Sequence, residues 1–220
     1  IKADEIMVFP LSQHIGKPAK PTVEVGQRVL KGQIIAEADG FISSNVHSSV
    51  SGTVKAIENR LTLSGDKKPS IVIQNDFENE EIEGLGVKTD PSSLTNEEII
   101  EKIKNAGIVG LGGAGFPTHV KLSPKNAKEI DTIIVNGCEC EPAITCDDRI
   151  MQEQATDIAK GIAILNKILK PTVTVVAIED NKHKAIQAME VACKGVATVR
   201  VIPTIYPSGA ARNLIKIITG

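Results

Sequence analysis

The sequence has few aromatic residues, little net charge and no long apolar run. Aromatic residues make up 2% of the 220 residues, and the formal net charge is -2. A carbohydrate-cleaving cleft is lined with aromatic rings, and a nucleic-acid-binding surface needs an excess of lysine and arginine. Both functions are therefore poorly supported. No run of about 18 apolar residues and no signal peptide is found, which predicts a cytoplasmic protein that would meet a membrane only through a partner.

Cysteine is scarce too, but three of the four cysteines, Cys138, Cys140 and Cys146, lie within nine residues. This clustering favours free thiols, redox chemistry or a metal over a disulfide framework. Cys138 and Cys140 are expected to form at most a reversible redox pair. A helix start at Cys146 would lower its pKa, although Asp147 and Asp148 oppose that effect. The alternative hypothesis is a non-catalytic scaffold with a three-cysteine metal or redox-regulatory site, although structural zinc usually takes four ligands.

The first third of the chain alternates β-branched and polar residues. Apolar runs such as EIMVFPL, GTVKAIE and PSIVIQN are separated by glycine and proline. Turns are expected at Gly26, Gly32, Gly40 and Gly52. The pattern predicts a small all-β domain over residues 1–75, in which His14 and His47 are interpreted as satisfied polar residues more readily than as ligands.

Residues 76–95, DFENEEIEGLGVKTDPSSLT, are acidic and then rich in turn formers. This composition predicts a solvated linker with no chemistry of its own. Thr95 and Glu98 fit a capping box at the start of a helix. Gly107 suits the left-handed position that follows the end of that helix.

Strand-like and helical segments alternate in the rest of the chain. Valine- and isoleucine-rich runs, as in DTIIVNG, TVTVVAIED and ATVRVIP, are separated by helical patterns, of which DDRIMQEQATDIAKGIAILNKIL (147–169) is the longest. Such alternation is typical of βα units with a mainly parallel sheet. The sequence therefore predicts a doubly wound, Rossmann-like α/β domain over residues 96–220.

The segment GLGGAG, residues 110–115, is unusually rich in glycine and leads into a helix start at Pro117. Proline is well tolerated in the first turn of a helix. Glycines before a helix leave backbone N–H groups open to an anion such as phosphate, and Lys121 would add a positive charge. The segment lacks the strand context of a dinucleotide fingerprint and the lysine of a P-loop, so a simple tight turn remains an alternative.

A second motif, NGCECEP, residues 136–142, stands where a predicted strand ends. In open α/β sheets the carboxyl ends of the strands form the ligand-binding edge. Glu139 and Glu141 would lie on the same side of the chain if the segment is extended, and Pro142 favours that form.

These motifs carry a family resemblance. GLGGAGFPTHVKL, NGCECEP and CDDRIM resemble RnfC, the peripheral subunit of the Rnf electron-transport complex, and more distantly the flavin subunit of respiratory NADH dehydrogenase. FPLSQHIGKPAKPTVEVGQRVLKGQ and VHSSVSGTV resemble the amino-terminal domain of RnfC, a barrel-sandwich hybrid. Biotin and lipoate carriers share that spacing, but no lysine lies between Lys31 and Lys55. Proline-reductase-associated proteins of the PrdC type are similar as well.

The resemblance implies an oxidoreductase subunit that binds FMN and NADH and passes electrons to [4Fe-4S] clusters in a carboxyl-terminal part outside this chain. Phe116 would face the nicotinamide, and Lys121 would reach phosphate. The FMN phosphate and ribityl chain would lie along Gly110, Gly112, Gly113 and Ala114. Flavin or NADH would contact Asn136, Glu139 and Glu141. Ala211 stands where RnfC-like chains commonly carry a carboxylate, so NADH is expected to bind weakly and a PrdC-like variant is favoured.

Overall fold

The computed structural model describes residues 2–111, 113–124 and 130–220. They form two compact units, Ile1–Pro124 and Lys125–Gly220. The first unit includes residues 96–124, which the sequence pattern assigned to the second domain. The predicted division into residues 1–75, 76–95 and 96–220 therefore stays a prediction.

The first unit contains two antiparallel sheets around one apolar core. The strands are β1 Ile6–Pro10, β2 Lys20–Pro21, β3 Arg28–Val29, β4 Ile34–Glu37, β5 Val46–His47, β6 Gly52–Leu61 and β7 Lys67–Asn75. One sheet has the order β1-β7-β6-β3 and the other β2-β4-β5. Alternate side chains of the strands point inwards, and the fully buried ones include Val29, Ile35, Val54, Ile71 and Ile73. The all-β prediction is confirmed.

Gly52 corrects one detail of the β prediction, because it opens β6 rather than forming a turn. A Cβ atom at this position would lie 2.1 Å from the carbonyl oxygen of Gln74 on the neighbouring strand. Glycine is therefore needed where the two backbones approach each other.

The first half of the predicted linker is held against the β-sheet. Arg28 forms ion pairs with Asp76, Glu78 and Glu80 at 2.9, 3.0 and 2.7 Å. The backbone N–H of Lys31 donates to the carbonyl of Glu80 at 2.8 Å. The acidic run thus has a structural explanation. The later part of the segment contains a short 3₁₀ helix, Pro91–Ser93, which the Asp90 side chain caps.

The helix predicted after Thr95 is present as α1, Asn96–Asn105, with the full capping box. The Thr95 side chain accepts the N–H of Glu98, and the Glu98 carboxylate accepts the N–H of Thr95. Gly107 follows the helix end with a φ of +66°. Both the start and the stop of this helix are confirmed. A single helical turn, α2, spans Thr118–Lys121.

The second unit has a three-stranded parallel sheet with helices on both faces. Its elements are β8 Thr132–Gly137, α3 Cys146–Glu153, α4 Ala155–Leu169, β9 Val173–Glu179, α5 His183–Ala192, β10 Thr198–Ile202 and α6 Ala211–Thr219. On the central strand β9, Val176 and Ile178 pack against α3, α4 and α5, whereas Ala177 packs with Leu214 of α6. This is the alternation expected of a buried strand.

One prediction for this unit stays a prediction and one needs correction. The sheet is parallel with helices on both faces, but its three described strands follow one another in chain order as β10-β9-β8, so the switch point of a doubly wound, Rossmann-like sheet is not shown among them. The segment 147–169, predicted as one helix, is divided into α3 and α4 at Gln154, whose φ of -129° is not helical. No glycine or proline marks that break in the sequence. In the part of the chain that is described, no helix is both long and apolar enough to cross a membrane.

Candidate functional site

The glycine segment forms a loop that is closed at its base by backbone hydrogen bonds. Val109 and Pro117 face each other in an antiparallel bridge. The N–H of Gly110 donates to the carbonyl of Phe116 at 2.9 Å, and the N–H of Thr118 donates to the carbonyl of Ile108 at 3.0 Å. The two ends of the loop, at Gly110 and Phe116, are therefore held together.

The tip of the loop leaves backbone donors available. The N–H groups of residues 113–116 find no acceptor among the residues that the structure describes. Gly113 and Ala114 are exposed, and a Cβ atom at Gly113 would have no neighbour within 4 Å. Gly113 also has a φ of +93°, a conformation that favours glycine. Successive free N–H groups of this kind form an anion-binding concavity.

Lys121 and Phe116 lie together at the base of the same loop. The Lys121 ammonium is 5.7 Å from the centroid of the Phe116 ring. It is 3.2 Å from the point that a Cβ atom of Gly110 would occupy. Lys121 makes no ion pair with a described carboxylate. An ammonium group thus stands beside the open N–H groups without a described counterion.

The structure brings together Gly110, Gly113, Ala114, Phe116 and Lys121, while Gly112 lies outside the described residues. The sequence suggested that a helix start would attract the anion, but the structure offers a different physical basis. Because α2 is only one turn long, its dipole is small. The loop N–H groups and the Lys121 charge are the stronger grounds for an anion site.

The other three predicted residues lie in the second unit, near the carboxyl end of β8. Asn136 connects this end to the segment before α6. Its side-chain amide donates to the carbonyl of Gly209 at 2.9 Å, and its side-chain oxygen accepts the N–H of Cys138 at 3.1 Å. Gly209 packs so closely that a Cβ atom there would be 2.8 Å from the carbonyl oxygen of Cys138. The Asn136 side chain therefore links the backbone after β8 to the backbone before α6.

Glu139 is buried and bonded on both carboxylate oxygens. One oxygen accepts the N–H of Asp147 at 2.7 Å, and the other accepts the N–H of Asp148 at 3.4 Å. The ammonium of Lys182 lies 3.2 Å from the carboxylate, with 1% of the Glu139 side chain and 12% of the Lys182 side chain exposed. Glu139 thus caps the start of α3 and ties it to the loop after β9.

Burial alone would raise the pKa of Glu139, but the Asp147 N–H and the Lys182 ammonium outweigh it, so the pKa lies below its ordinary value. The carboxylate is therefore held in its charged form. A group bonded in this way positions its surroundings, and it has little capacity left for a ligand.

Glu141 differs from Glu139, because it is exposed and begins a turn. The N–H of Ile144 closes this turn on the carbonyl of Glu141 at 3.4 Å, and Ala143 within it has a φ of +65°. The backbone therefore turns after Glu141 instead of continuing in extended form through Pro142, and the placement of both carboxylates on one side of it stays a prediction. Glu141 remains open to solvent or to a ligand.

The cysteine hypotheses are corrected by the surroundings of each thiol. Burial, together with the nearby Glu179 carboxylate, raises the pKa of Cys138 to about 12. Partial desolvation and the Asp147 carboxylate raise the pKa of Cys146, so the opposing effect expected of Asp147 outweighs the lowering expected of a helix start. Where the structure is described, the metal-ligand types that cluster are Glu139, Cys146 and Asp147. The three cysteines are therefore not brought together as one ligand set among the described residues, and the Lys182 ammonium on Glu139 disfavours a cation at the Glu139 cluster.

Sequence reasoning missed Glu179, which is fully buried at the end of β9. One of its oxygens accepts the hydroxyl of Ser208 at 3.1 Å, and the other has no partner among the described atoms. Ser208 is also buried and precedes Gly209. An acidic residue at the end of an otherwise apolar strand, VTVVAIE, was the available signal for this contact.

Ala211, which departs from the RnfC-like pattern, is the exposed first residue of α6. An open apolar cavity of about 480 Å³ lies beside this helix, lined by residues that include Ile205, Tyr206, Asn213 and Ile217. A carboxylate at position 211 would therefore stand at the helix start, where a negative charge is favourable.

Comparison with known families and proteins gives two matches that together cover most of the chain. The family described as the Nuo51 FMN-binding domain matches residues 103–220, and the RnfC barrel sandwich hybrid domain matches residues 1–78. The first match exceeds half of the chain. The chain therefore belongs to the family of the Nuo51 FMN-binding domain.

Its relatives narrow this class to the RnfC type. The chain is 43% identical over 218 residues to the C subunit of the proton-translocating ferredoxin:NAD(+) oxidoreductase complex of Clostridium ljungdahlii, covering 99% of this chain and 48% of that protein. It is 48% identical over 217 residues to the C subunit of the ion-translocating oxidoreductase complex of Pseudomonas aeruginosa, covering 97% and 28%. The resemblance to RnfC is confirmed. The chain spans less than half the length of these curated relatives.

Proposed function

We propose that this chain is the FMN-binding part of an electron-transfer subunit and that the glycine loop holds the flavin phosphate. The observation that carries the proposal is the set of loop N–H groups at residues 113–116 without a described acceptor. The ammonium of Lys121, which has no described counterion, lies at the base of the same loop. A phosphate needs both hydrogen-bond donors and positive charge, so the residues present fit the group.

Each residue of the loop has a distinct task in this proposal. Gly113 supplies backbone that a ligand can approach, because no side chain stands over it. Lys121 neutralises phosphate charge, and Phe116 offers an apolar surface for the nicotinamide. When bound, FMN takes up two electrons as a hydride and releases them singly. The contribution of the chain is to bind and orient the flavin.

Of the two glutamates predicted for the site, Glu139 is buried and Glu141 is exposed, so Glu141 is the one whose carboxylate is open to a ligand. Asn136 and the buried Glu139 support the backbone at the end of β8, so we propose that they act mainly by positioning. NADH is proposed as the donor or acceptor of electrons, with weak binding because position 211 lacks a carboxylate.

The electrons would pass to [4Fe-4S] clusters in a part of the protein outside this chain. Subunits of an oxidoreductase complex are the proposed partners, since the curated relatives are named as subunits of such complexes. Association with a membrane would then run through those subunits. The choice between an Rnf role and a proline-reductase role depends on which partner supplies the electrons.

The test is a flavin titration of the gently purified full-length protein. Its visible spectrum and the released cofactor identify the native flavin, and FMN fluorescence quenching then gives the affinity. Lys121→Gln removes a charge-assisted bond of roughly 1.5 to 3 kcal/mol, so the affinity should fall by about tenfold or more.

The matched control is Lys160→Gln, which removes a lysine that is exposed and paired with Asp157. FMN affinity should be unchanged in this variant. Equal affinity in wild type and Lys121→Gln, or absence of flavin from the full-length protein, would overturn the proposed function.

A further inference from the structure

Two glycines that bracket the loop meet the β-rich part of the first unit rather than open space. Gly107 and Gly115 have φ values of +66° and +58°. A Cβ atom at Gly107 would collide with the backbone of Asn45, and one at Gly115 would be in unusually tight contact with the backbone of Gln13 and His14. The tip glycine Gly113 has no such neighbour. The glycines at the ends and at the tip of the segment therefore serve different purposes.

The contact at Gly115 is the closer one to the loop tip. A Cβ atom there would lie 3.0 Å from both the carbonyl oxygen of Gln13 and the Cα atom of His14. One residue earlier, the carbonyl of Ala114 accepts the N–H of Ile15 at 3.1 Å. The loop is thus hydrogen-bonded to the segment after β1 at the point where glycine permits close approach.

The contact at Gly107 holds the other end. A Cβ atom there would lie 2.6 Å from the carbonyl oxygen of Asn45 and 3.2 Å from the ring of His47. The side-chain amide of Asn45 also donates to the carbonyl of Asn105, the last residue of α1, at 3.3 Å. The end of α1 and the start of the loop are therefore fixed on the same β-rich segment.

His14 joins the two supporting segments. Its Nε2 accepts the N–H of Ser44 at 3.1 Å, and the His14 side chain is buried. A second bond runs from the N–H of Lys17 to the carbonyl of Ile42 at 3.0 Å. Residues 13–17 and 42–47 thus form one surface, which we call the platform.

We propose that the platform sets the shape of the glycine loop before any ligand binds, so that Gly115 and His14 are positioning residues for the flavin site. This proposal rests on the proposed function. A glycine-rich loop loses much backbone entropy when it is ordered. If docking on the platform has already ordered the loop, less of that cost falls on the ligand, and affinity rises. By linkage, bound flavin should stabilise the docking by the same factor.

The first test measures hydrogen exchange of the Ile15 amide in the flavin-free full-length protein, because that amide reports the bond to Ala114. Gly115→Ala should speed its exchange by about tenfold, within the usual range of coupling between sites. The control Gly65→Ala also has positive φ, +82°, but meets nothing within 4 Å. Exchange at Ile15 should be unchanged in that control. Unchanged exchange in Gly115→Ala overturns the proposal.

The second test measures FMN affinity in the same variants. Gly115→Ala should weaken FMN binding by about tenfold, and Gly65→Ala should not. Saturating FMN should slow Ile15 exchange in the wild type. Faster exchange with unchanged FMN affinity overturns the proposal, because the docking would then not serve the flavin. Failure of the wild type to bind FMN defeats the proposed function instead, while the flavin-free exchange still reports the docking.

His14 provides a rescue experiment. His14→Leu removes the acceptor for the Ser44 N–H and should reproduce both effects of Gly115→Ala. His14→Gln restores a side-chain acceptor and should recover at least part of the Ile15 protection and of the FMN affinity. Equal loss in His14→Leu and His14→Gln would point to packing alone and would overturn the positioning role of this hydrogen bond.

Discussion

The glycine loop and the segment after β8 use their polar groups in opposite ways. In the loop, the N–H groups of residues 113–116 have no described acceptor, and the Lys121 ammonium, which lies over the Phe116 ring, has no described counterion. After β8, the side chains of Asn136 and Glu139 are committed to neighbouring backbone and to Lys182. The polar side chains after β8 thus serve mainly to stabilise the fold. The glycine loop, which has few side chains, offers a ligand its backbone N–H groups.

The largest expected effect is a loss of stability when the buried carboxylate of Glu139 is removed. Glu139→Ala leaves the Lys182 ammonium buried without its carboxylate and removes the cap of α3. Breaking one partner of a buried pair costs about 3 to 5 kcal/mol, so the free energy of unfolding of the second unit should fall by that amount in a denaturant titration.

Glu141→Ala is the matched control, because Glu141 is an exposed glutamate in the same motif. Its free energy of unfolding should change by less than about 0.5 kcal/mol. Equal destabilisation by the two substitutions would show that the burial of Glu139 does not distinguish them.

A gain of binding is expected from Ala211→Glu. The new carboxylate at the start of α6 would supply a charge-assisted hydrogen bond to the nicotinamide nucleotide, worth roughly 1.5 to 3 kcal/mol. NADH affinity should rise by about tenfold to a hundredfold, with FMN affinity unchanged. Calorimetry on flavin-loaded wild type and variant measures both. Tight NADH binding by the wild type, or no gain in the variant, would refute this expectation.

A smaller effect is expected in the pH dependence of stability. Because folding lowers the pKa of Glu139, its contribution is complete above the unfolded value, about 4.3 for glutamate. It is lost as pH falls through the lower folded pKa. Denaturant titrations between neutral and acidic pH should therefore show a steeper loss in wild type than in Glu139→Gln. Parallel curves would mean that Glu139 is not held as a carboxylate.

The smallest effect concerns thiol reactivity. The raised pKa of Cys138 and Cys146 keeps both thiols protonated near neutral pH. Alkylation followed by mass spectrometry should modify the exposed Cys146 slowly and the buried Cys138 only after unfolding. Rapid modification of Cys146 at neutral pH would restore the idea of a reactive thiol at the start of α3.

Local patterns in the sequence predicted the elements that depend on local physics. The capping box at Thr95, the stop at Gly107 and the buried strand of β9 follow from short-range rules, and all are present. The RnfC resemblance rested on long motifs and was confirmed. The strand order of the second unit was not predictable in this way, because it depends on which strands pair at long range.

The roles of individual polar residues were harder to predict for the same reason. The spacing of Glu139 and Glu141 suggested a pair. A turn at Ala143 follows Glu141, whereas Glu139 is buried in an ion pair with Lys182, which is distant in sequence. Gly115 was not singled out from the sequence, because its neighbours are Gln13 and His14, about a hundred residues earlier. A contact between residues a hundred positions apart leaves no trace in local pattern.

The most direct test of the flavin assignment is FMN titration of the full-length protein against its Gly113→Val variant. Valine at a φ of +93° is strained, and its side chain would stand over the open N–H groups. We predict that Gly113→Val loses FMN binding while keeping the folded far-UV spectrum, and that Gly65→Val, at a φ of +82° and away from the loop, still binds FMN. Unchanged FMN affinity in Gly113→Val would contradict the assignment of the glycine loop as the flavin phosphate site.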